Sequence, residues 1–294
     1  MLIDSGATPI GNSMRIIEHL EAYNIKTLDY LMLTHPHSDH CNILTKVLEK
    51  YTVKELFVPK ILPSYNFPDA KTRKGHINTK VYYKFYEQVL LQVEKGAILN
   101  YNVDTFSIFG EDYSFDFYCY GEDYYHTISG KSSNDEVNSL SPIGFLEYKQ
   151  IRYAFTGDAN YITEEYFISN YVTEENKKQF DSTLLKVGHH GSKTSTTTEF
   201  LDIILPEVSI ICVGYNVFGH PTKEVLGRLS SIGSVIYNTR DNGKIRVEQC
   251  AEKLNILPDR GKNYIIILSA TYQSNNLISV TLYFIPANRK WAVC

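Results

Sequence analysis

The sequence predicts a layered α/β protein, and three observations carry that reading. Apolar runs of strand length alternate with segments of helical periodicity through the first 58 residues. One run, Leu28-Asp29-Tyr30-Leu31-Met32-Leu33, ends in Thr34-His35-Pro36-His37-Ser38-Asp39-His40, which packs four potential metal ligands into six residues. A second run, Leu184-Leu185-Lys186-Val187, ends the same way, on His189 and His190. Strands alternating with helices imply a sheet covered by helices, and here the strand ends carry the chemistry.

The elements follow in order. Residues 1–4 read as a short strand that stops at Ser5-Gly6. Residues 13–23 place Met14, Ile16, Ile17 and Leu20 on one helical face. After the histidine loop, residues 42–51 read as a helix with Ile43, Leu44, Val47 and Leu48 facing inward, and 53–58 as a strand. Residues 60–80 are irregular and basic, with Lys71, Arg73, Lys74, His76 and Lys80; the sequence leaves open a solvated loop or a loop that attracts an anion. A helix is expected over 82–94, two or three strands over 97–120, a polar loop over 121–137, and strands over 139–148 and 151–156. Helical or loop structure over 164–180 precedes the strand 184–187. A helix over 197–205, a strand over 208–213 and a helix over 223–231 continue the alternation.

Composition narrows the class. The chain of 294 residues is long enough for one large domain or two modest ones, and its 21% of charged residues is ordinary for a globular protein. A net charge of −4 gives no general hold on nucleic acid, so DNA as a partner stays possible without support from charge. No run of about 18 apolar residues suggests a membrane span, and residues 1–6 show no signal-like core. Five scattered cysteines without a CxxC pair read as reduced thiols, and the expected location is cytoplasmic.

Neutral imidazole and carboxylate are ligands that zinc accepts, and a catalytic site keeps an open position for water. His35, His37, Asp39 and His40 therefore form a candidate metal cluster, against the plainer possibility of a polar loop with satisfied histidines. Phe155-Thr156-Gly157-Asp158-Ala159 puts one carboxylate after another apolar run. His76 and His126 lie between these motifs, and neither is expected to be a ligand.

The pattern His35-x-His37-x-Asp39-His40 resembles the signature of the metallo-β-lactamase-fold hydrolases. The block Gly188-His189-His190-Gly191-Ser192, the run Val213-Gly214-Tyr215-Asn216-Val217-Phe218-Gly219-His220-Pro221 and the run Ile236-Tyr237-Asn238-Thr239-Arg240-Asp241-Asn242-Gly243 narrow it. Together they are similar to the hydrolase domain of competence proteins of the ComEC type and to phosphorylcholine esterases. The similarity covers residues 1–247, leaving 248–294 as a β-rich extension.

The resemblance implies a four-layer αββα sandwich with two zinc ions, or manganese or iron, at one edge. It implies His35, His37, Asp39, His40, Asp158 and His190 as ligands, with Asp158 bridging the ions. Adjacent residues leaving a strand point in opposite directions, so the two histidines are not expected to share one metal, and the resemblance to the phosphorylcholine esterases implies that His190 binds metal and His189 faces the substrate. Asp39, His189 and His220 are the expected catalytic residues; Asp4, Asn138 and Ser192 would support them from behind. The implied reaction is hydrolysis by a metal-activated hydroxide, on a phosphodiester, nucleotide or other small-molecule ester. A lactonase or thioesterase of the same fold, or a metal-binding domain without turnover, are the alternatives. The chain departs from the pattern in several places. Membrane helices are lacking, the family's first strand would precede Met1, and Cys41-Asn42 replaces a glycine pair. The strand-like runs 264–268 and 277–285 are expected to pack on the domain and complete or extend one sheet.

Overall fold

The computed structural model describes residues 1–5, 14–63, 79–129, 132–250, 253–261, 264–267 and 280–284. The basic stretch with His76 lies outside them. Two sheets form the middle of the molecule. The first is all parallel, in the order β1 (Leu2–Ile3), β2 (Thr27–Met32), β3 (Thr52–Val58), β4 (Ile98–Tyr101). The second holds β5 (Thr105–Phe109), β6 (Tyr113–Tyr118), β7 (Ile143–Tyr148), β8 (Ile151–Phe155), β9 (Leu184–Lys186), β10 (Val208–Ile211) and β11 (Val235–Asn238), in sequential order across the sheet. It is antiparallel through β5–β8 and parallel through β8–β11.

Alternating side chains sort the core into layers. Leu31, Leu33, Leu56 and Val58 pack outward against helices α1 (Met14–Ala22), α2 (Ser38–Lys50) and α3 (Thr79–Glu94), joining Leu44, Val47 and Phe85. Met32 and Phe57 point the other way and meet Phe115, Phe117, Tyr153, Leu184, Val208 and Ile210 of the second sheet. On its far face, Phe145, Leu185 and Ile211 pack against Phe167, Phe200, Leu201, Val225 and Leu229. Those belong to the helices Tyr161–Tyr171, Thr198–Ile204 and Lys223–Ser231. The result is helices, sheet, sheet, helices: an αββα sandwich with both sheet faces buried, as parallel strands require.

Several boundaries differ from the sequence reading. Helix α2 starts at Ser38, not residue 42, with His37 as its N-cap, so Asp39 and His40 sit in its first turn. The polar segment 121–137 holds two short helices, α4 (Glu122–Thr127) and α5 (Asn134–Asn138). The second opens with a capping box between Ser133 and Glu136, a pattern of Ser and Glu three apart that the sequence displays. Strand β7 begins at Ile143, not 139, because Ser139 and Ser141 take up turn hydrogen bonds. The C-terminal strands join neither of the two main sheets. They form a third, antiparallel sheet in the order β14 (Tyr264–Ile267), β13 (Lys253–Pro258), β12 (Ile245–Cys250), β15 (Val280–Phe284). Its residues Ile245, Val247, Leu254 and Ile256 are fully buried in the core between the main sheets.

Candidate metal centre

Five parallel strands, β1, β2, β8, β9 and β10, end at one edge of the sandwich, and each hands a functional group to the same spot. Beyond β1 comes Asp4, beyond β2 the 34–40 loop, beyond β8 the turn with Asp158, beyond β9 the turn with His189 and His190, and beyond β10 the carbonyl of Cys212. The carboxyl ends of parallel strands are where open α/β sheets build ligand sites.

The Nδ1 atoms face neighbouring oxygens. His40 Nδ1 lies 2.7 Å from Asp4 Oδ2, and His190 Nδ1 lies 2.8 Å from the carbonyl oxygen of Cys212. A carbonyl and a carboxylate only accept, so both imidazoles carry their proton on Nδ1, which leaves Nε2 bare in the neutral ring. His35 Nδ1 lies 3.1 Å from Thr34 Oγ1 and 3.2 Å from Ser141 Oγ, which orients its Nε2 inward too. The bare atoms converge on one carboxylate. Asp158 Oδ2 is 3.0 Å from His190 Nε2, 3.4 Å from His40 Nε2 and 3.9 Å from His35 Nε2. His37 Nδ1 approaches His35 Nε2 to 3.0 Å.

The donor set fits a cation. Six buried side-chain atoms among the described residues lack a hydrogen-bond partner, and four of them are His37 Nε2, His40 Nε2, His190 Nε2 and Asp158 Oδ1. Buried polar atoms normally find partners, so the orphans on His40, His190 and Asp158, which lie around one point, ask for a shared one. Two overlapping groups have ligand atoms within 4.8 Å of one another: His35, His40 and Asp158, and Asp39, His40 and His190. The charge states agree. Burial, reinforced by His40 and His37, holds His35 well below its ordinary pKa, and burial pushes His37 down to about 4. Burial opposes charge on His40 as well, yet Asp158 and Asp4 outweigh it and hold that imidazole well above its usual range. Asp158 is likewise kept ionised by His190 and His40 in spite of burial. The carboxylates draw positive charge to this point, which a metal ion would supply directly.

The residues predicted to lie behind the ligands sort into two groups. Asp4 accepts from the Thr34 backbone N–H and hydroxyl, both at 2.8 Å, and so ties β1 to the ligand loop and to His40 together. Asn138 and Ser192 belong to His189. The Asn138 side-chain nitrogen lies 3.1 Å from His189 Nε2, and Ser192 Oγ is 3.1 Å from Thr194 Oγ1, itself 3.5 Å from His189 Nδ1. His189 lies between His190 and His220, with ring centroids 5.9 Å and 5.5 Å away. Burial, together with His189 and His190, lowers His220 to about 4, so its ring is neutral near pH 7. His126 stands apart, exposed on α4 and 3.9 Å from Glu122.

Three supports were not read from the sequence. Ser141 Oγ accepts from the Asp158 backbone N–H at 3.0 Å while also touching His35. The ammonium of buried Lys186 donates to the Gly157 carbonyl at 2.7 Å and so braces the Asp158 turn. Thr34 links Asp4 to His35. Single hydroxyls carry no spacing signal; a lysine inside an apolar run, as in Leu185-Lys186-Val187, was the one visible cue.

The sandwich and its edge site define the metallo-β-lactamase fold. Residues 1–113 match the metallo-β-lactamase superfamily, and the chain carries a domain of that kind. Over 79% of its length it is 28% identical to ComE operon protein 3 of Bacillus subtilis, and over 89% it is 26% identical to Recombination protein 2 of Haemophilus influenzae. It spans only 26% and 28% of those two proteins. A solved structure of similar shape is Zn(2+)-bound PqqB from Methylobacterium extorquens, at 10% identity and TM-score 0.42 over 80% of each chain. Among the described residues no helix is long and apolar enough to cross a membrane.

Proposed function

We propose that this chain is a metal-dependent hydrolase that cleaves a phosphodiester. The observation that supports it is the convergence of partnerless buried atoms on His40, His190 and Asp158, beside Asp39, His189 and His220. His35, His37, Asp39, His40, Asp158 and His190 would hold two zinc ions, with manganese or iron as substitutes. Divalent ions there would activate water as a nucleophile and offset the charge of the ester. The similarity to competence and recombination proteins favours a phosphodiester, including a nucleotide or a DNA strand, over a lactam.

The side chains have separable tasks. Asp4 and the Cys212 carbonyl hold His40 and His190 in the tautomer that leaves Nε2 free. Asp39 stands partly exposed in the first turn of α2, where a carboxylate can take a proton from the attacking water. His189 is steadied by Asn138 and by Thr194, and His220 lies one ring further out. A neutral His220 donates a hydrogen bond to an ester oxygen, and an anionic ester beside it would draw its pKa upward.

The test is hydrolysis of bis-(p-nitrophenyl) phosphate with zinc or manganese, run beside a lactam, a lactone and a thioester, with metal content measured on protein purified without chelator. Two ions per chain and phosphodiester turnover are expected. The substitution Asp158→Asn should lower both occupancies, since the shared carboxylate loses its charge. Cleavage of a lactone or thioester but no phosphodiester would overturn the substrate assignment, and no turnover at full metal occupancy would overturn the enzyme.

A further inference from the structure

The loop between β10 and the helix Lys223–Ser231 places Tyr215, Val217 and Phe218 in solvent, 61%, 82% and 60% exposed. Three large apolar side chains within four residues make a patch of the kind that marks binding surfaces. The loop is held firmly while it does so. Asn216 Oδ1 accepts from the backbone N–H of Phe218 and of His220, both at 3.0 Å. Its amide nitrogen donates to the carbonyls of Gly214, at 3.0 Å, and His220, at 2.8 Å. Arg240 adds a bond to the His220 carbonyl at 3.3 Å, and the Thr222 N–H bonds the Gly191 carbonyl at 2.9 Å. One asparagine thus staples the loop across its tip, and its end is fastened to the turn that carries His190.

The patch is continuous with the centre. Ring centroids step outward from His190 to His189 at 5.9 Å, from His189 to His220 at 5.5 Å, and from His220 to Phe218 at 5.7 Å. The Phe218 and His220 planes differ by only 31°. A substituent leaving the centre past His220 therefore meets an aromatic surface tilted by 31° from the His220 ring.

We infer that Phe218, on the loop stapled by Asn216, is a specificity-determining residue that stacks a planar ring carried by the substrate, such as a nucleobase or an aryl group, beyond His220. This deepens the phosphodiesterase reading and rests on it. Stacking on an aromatic side chain is worth about 1–3 kcal/mol per base, so its loss corresponds to roughly ten-fold in affinity.

The experiment compares three esters with one chromophore: thymidine 5′-(p-nitrophenyl) phosphate, phenyl p-nitrophenyl phosphate and methyl p-nitrophenyl phosphate. Phe218→Ala should raise KM about ten-fold for a ring-bearing ester, leave KM for the methyl ester within about two-fold, and leave kcat little changed; Phe218→Tyr should restore KM. An effect on the thymidine ester alone identifies the ring as a nucleobase, and an effect on the phenyl ester alone identifies an aryl group. No change for any of the three esters overturns the inference, and equal changes for all three assign the stacked ring to the p-nitrophenyl group that they share. Calorimetric titration of metal-loaded protein with thymidine 5′-monophosphate, phenyl phosphate and methyl phosphate separates it from the reading beneath. If no ester is cleaved, the phosphodiesterase reading fails. A Phe218-dependent preference for either ring-bearing ligand over methyl phosphate then still supports the stacking role, and its absence overturns it.

Discussion

The substitution Asp4→Asn isolates the role of one carboxylate in setting the chemistry of His40. Asp4 has φ 54°, in the left-handed region, which asparagine tolerates better than other side chains, so the backbone should persist. The carboxylate accepts three bonds: from the Thr34 N–H at Oδ1, and from the Thr34 hydroxyl and His40 Nδ1 at Oδ2. An amide has only one oxygen. If it stays on the Thr34 N–H, its NH2 faces His40 Nδ1, and the imidazole must move its proton to Nε2, the atom aimed at Asp158. If it turns over, two donors oppose each other in a site where Asp4 is 2% exposed. Either way the ligand is spoiled without being deleted. Carboxylates behind metal-binding histidines are worth roughly 10–100-fold in metal affinity, or about 1.4–2.7 kcal/mol. Zinc titration against a competing chelator should show a loss in that range at the tighter or the weaker step, with overall structure retained by circular dichroism. Wild-type zinc affinity with a lowered melting temperature would refute the reasoning: Asp4 would then be a strand-to-loop tie that leaves the His40 tautomer alone.

Three other outcomes are expected. His190→Ala should lose metal, whereas His189→Ala should keep metal and lose rate; elemental analysis beside initial rates decides, and the reverse pattern would exchange the two roles. Metal-free protein should be less stable at pH 5 than at pH 7. His37 is depressed to about 4, so the unfolded chain takes up a proton first as pH falls through about 6.5, and stability is lost by about 2 kcal/mol at pH 5 from that residue. His220 is depressed the same way but adds less because it is partly exposed, whereas His40, which Asp158 and Asp4 keep protonated in the folded chain, works in the opposite sense and offsets part of the loss. Urea midpoints in chelator at the two pH values measure this, and an unchanged or higher midpoint at pH 5 would contradict it. Ile256→Ala should cost about 2–5 kcal/mol, because Ile256 is fully buried between the main sheets; a change below 1 kcal/mol would mean that the C-terminal extension is a loose attachment.

Most of the architecture was legible because periodicity reports burial. Leu28 to Leu33 and Leu184 to Val187 read as buried strands, and both are, with alternate residues serving different core layers. The boundaries missed were set by polar bonds that no periodicity displays. Helix α2 begins four residues early because its first turn is made of site residues, Asp39 and His40, rather than apolar ones. The third sheet was misread for a related reason. Strand-like composition in 264–268 and 277–285 predicts pairing but not the partner; Tyr264–Ile267 pairs with Lys253–Pro258 and Val280–Phe284 with Ile245–Cys250, rather than either with an edge of a main sheet. At the site, residues with distinctive chemistry and spacing stand out, whereas Ser141 and Thr34 act through local hydrogen bonds that no spacing displays, and Lys186 is marked only by its place inside an apolar run.

The pair His189-His190 shows where strand alternation is an incomplete reason for two neighbouring rings to diverge. Strand alternation suggests that neighbouring side chains diverge, but neither residue is in a strand. Both are left-handed, at φ 41° and 55°, in a turn after β9. Left-handed backbone costs roughly 1–2 kcal/mol for each such residue, and glycine would avoid that cost. The turn already has glycines where they are needed: a Cβ on Gly188 would come within 2.6 Å of the Ala159 carbonyl oxygen, and Gly191 has φ 77°. Two imidazoles between them are kept against the strain by named bonds: His190 Nδ1 to the Cys212 carbonyl, the Ser192 N–H to the His189 carbonyl, and the Ser195 hydroxyl to the Gly188 carbonyl. Strain held in place by surrounding bonds is concentrated at functional positions. Here it sets one ring against Asp158 and the other against Asn138 and His220.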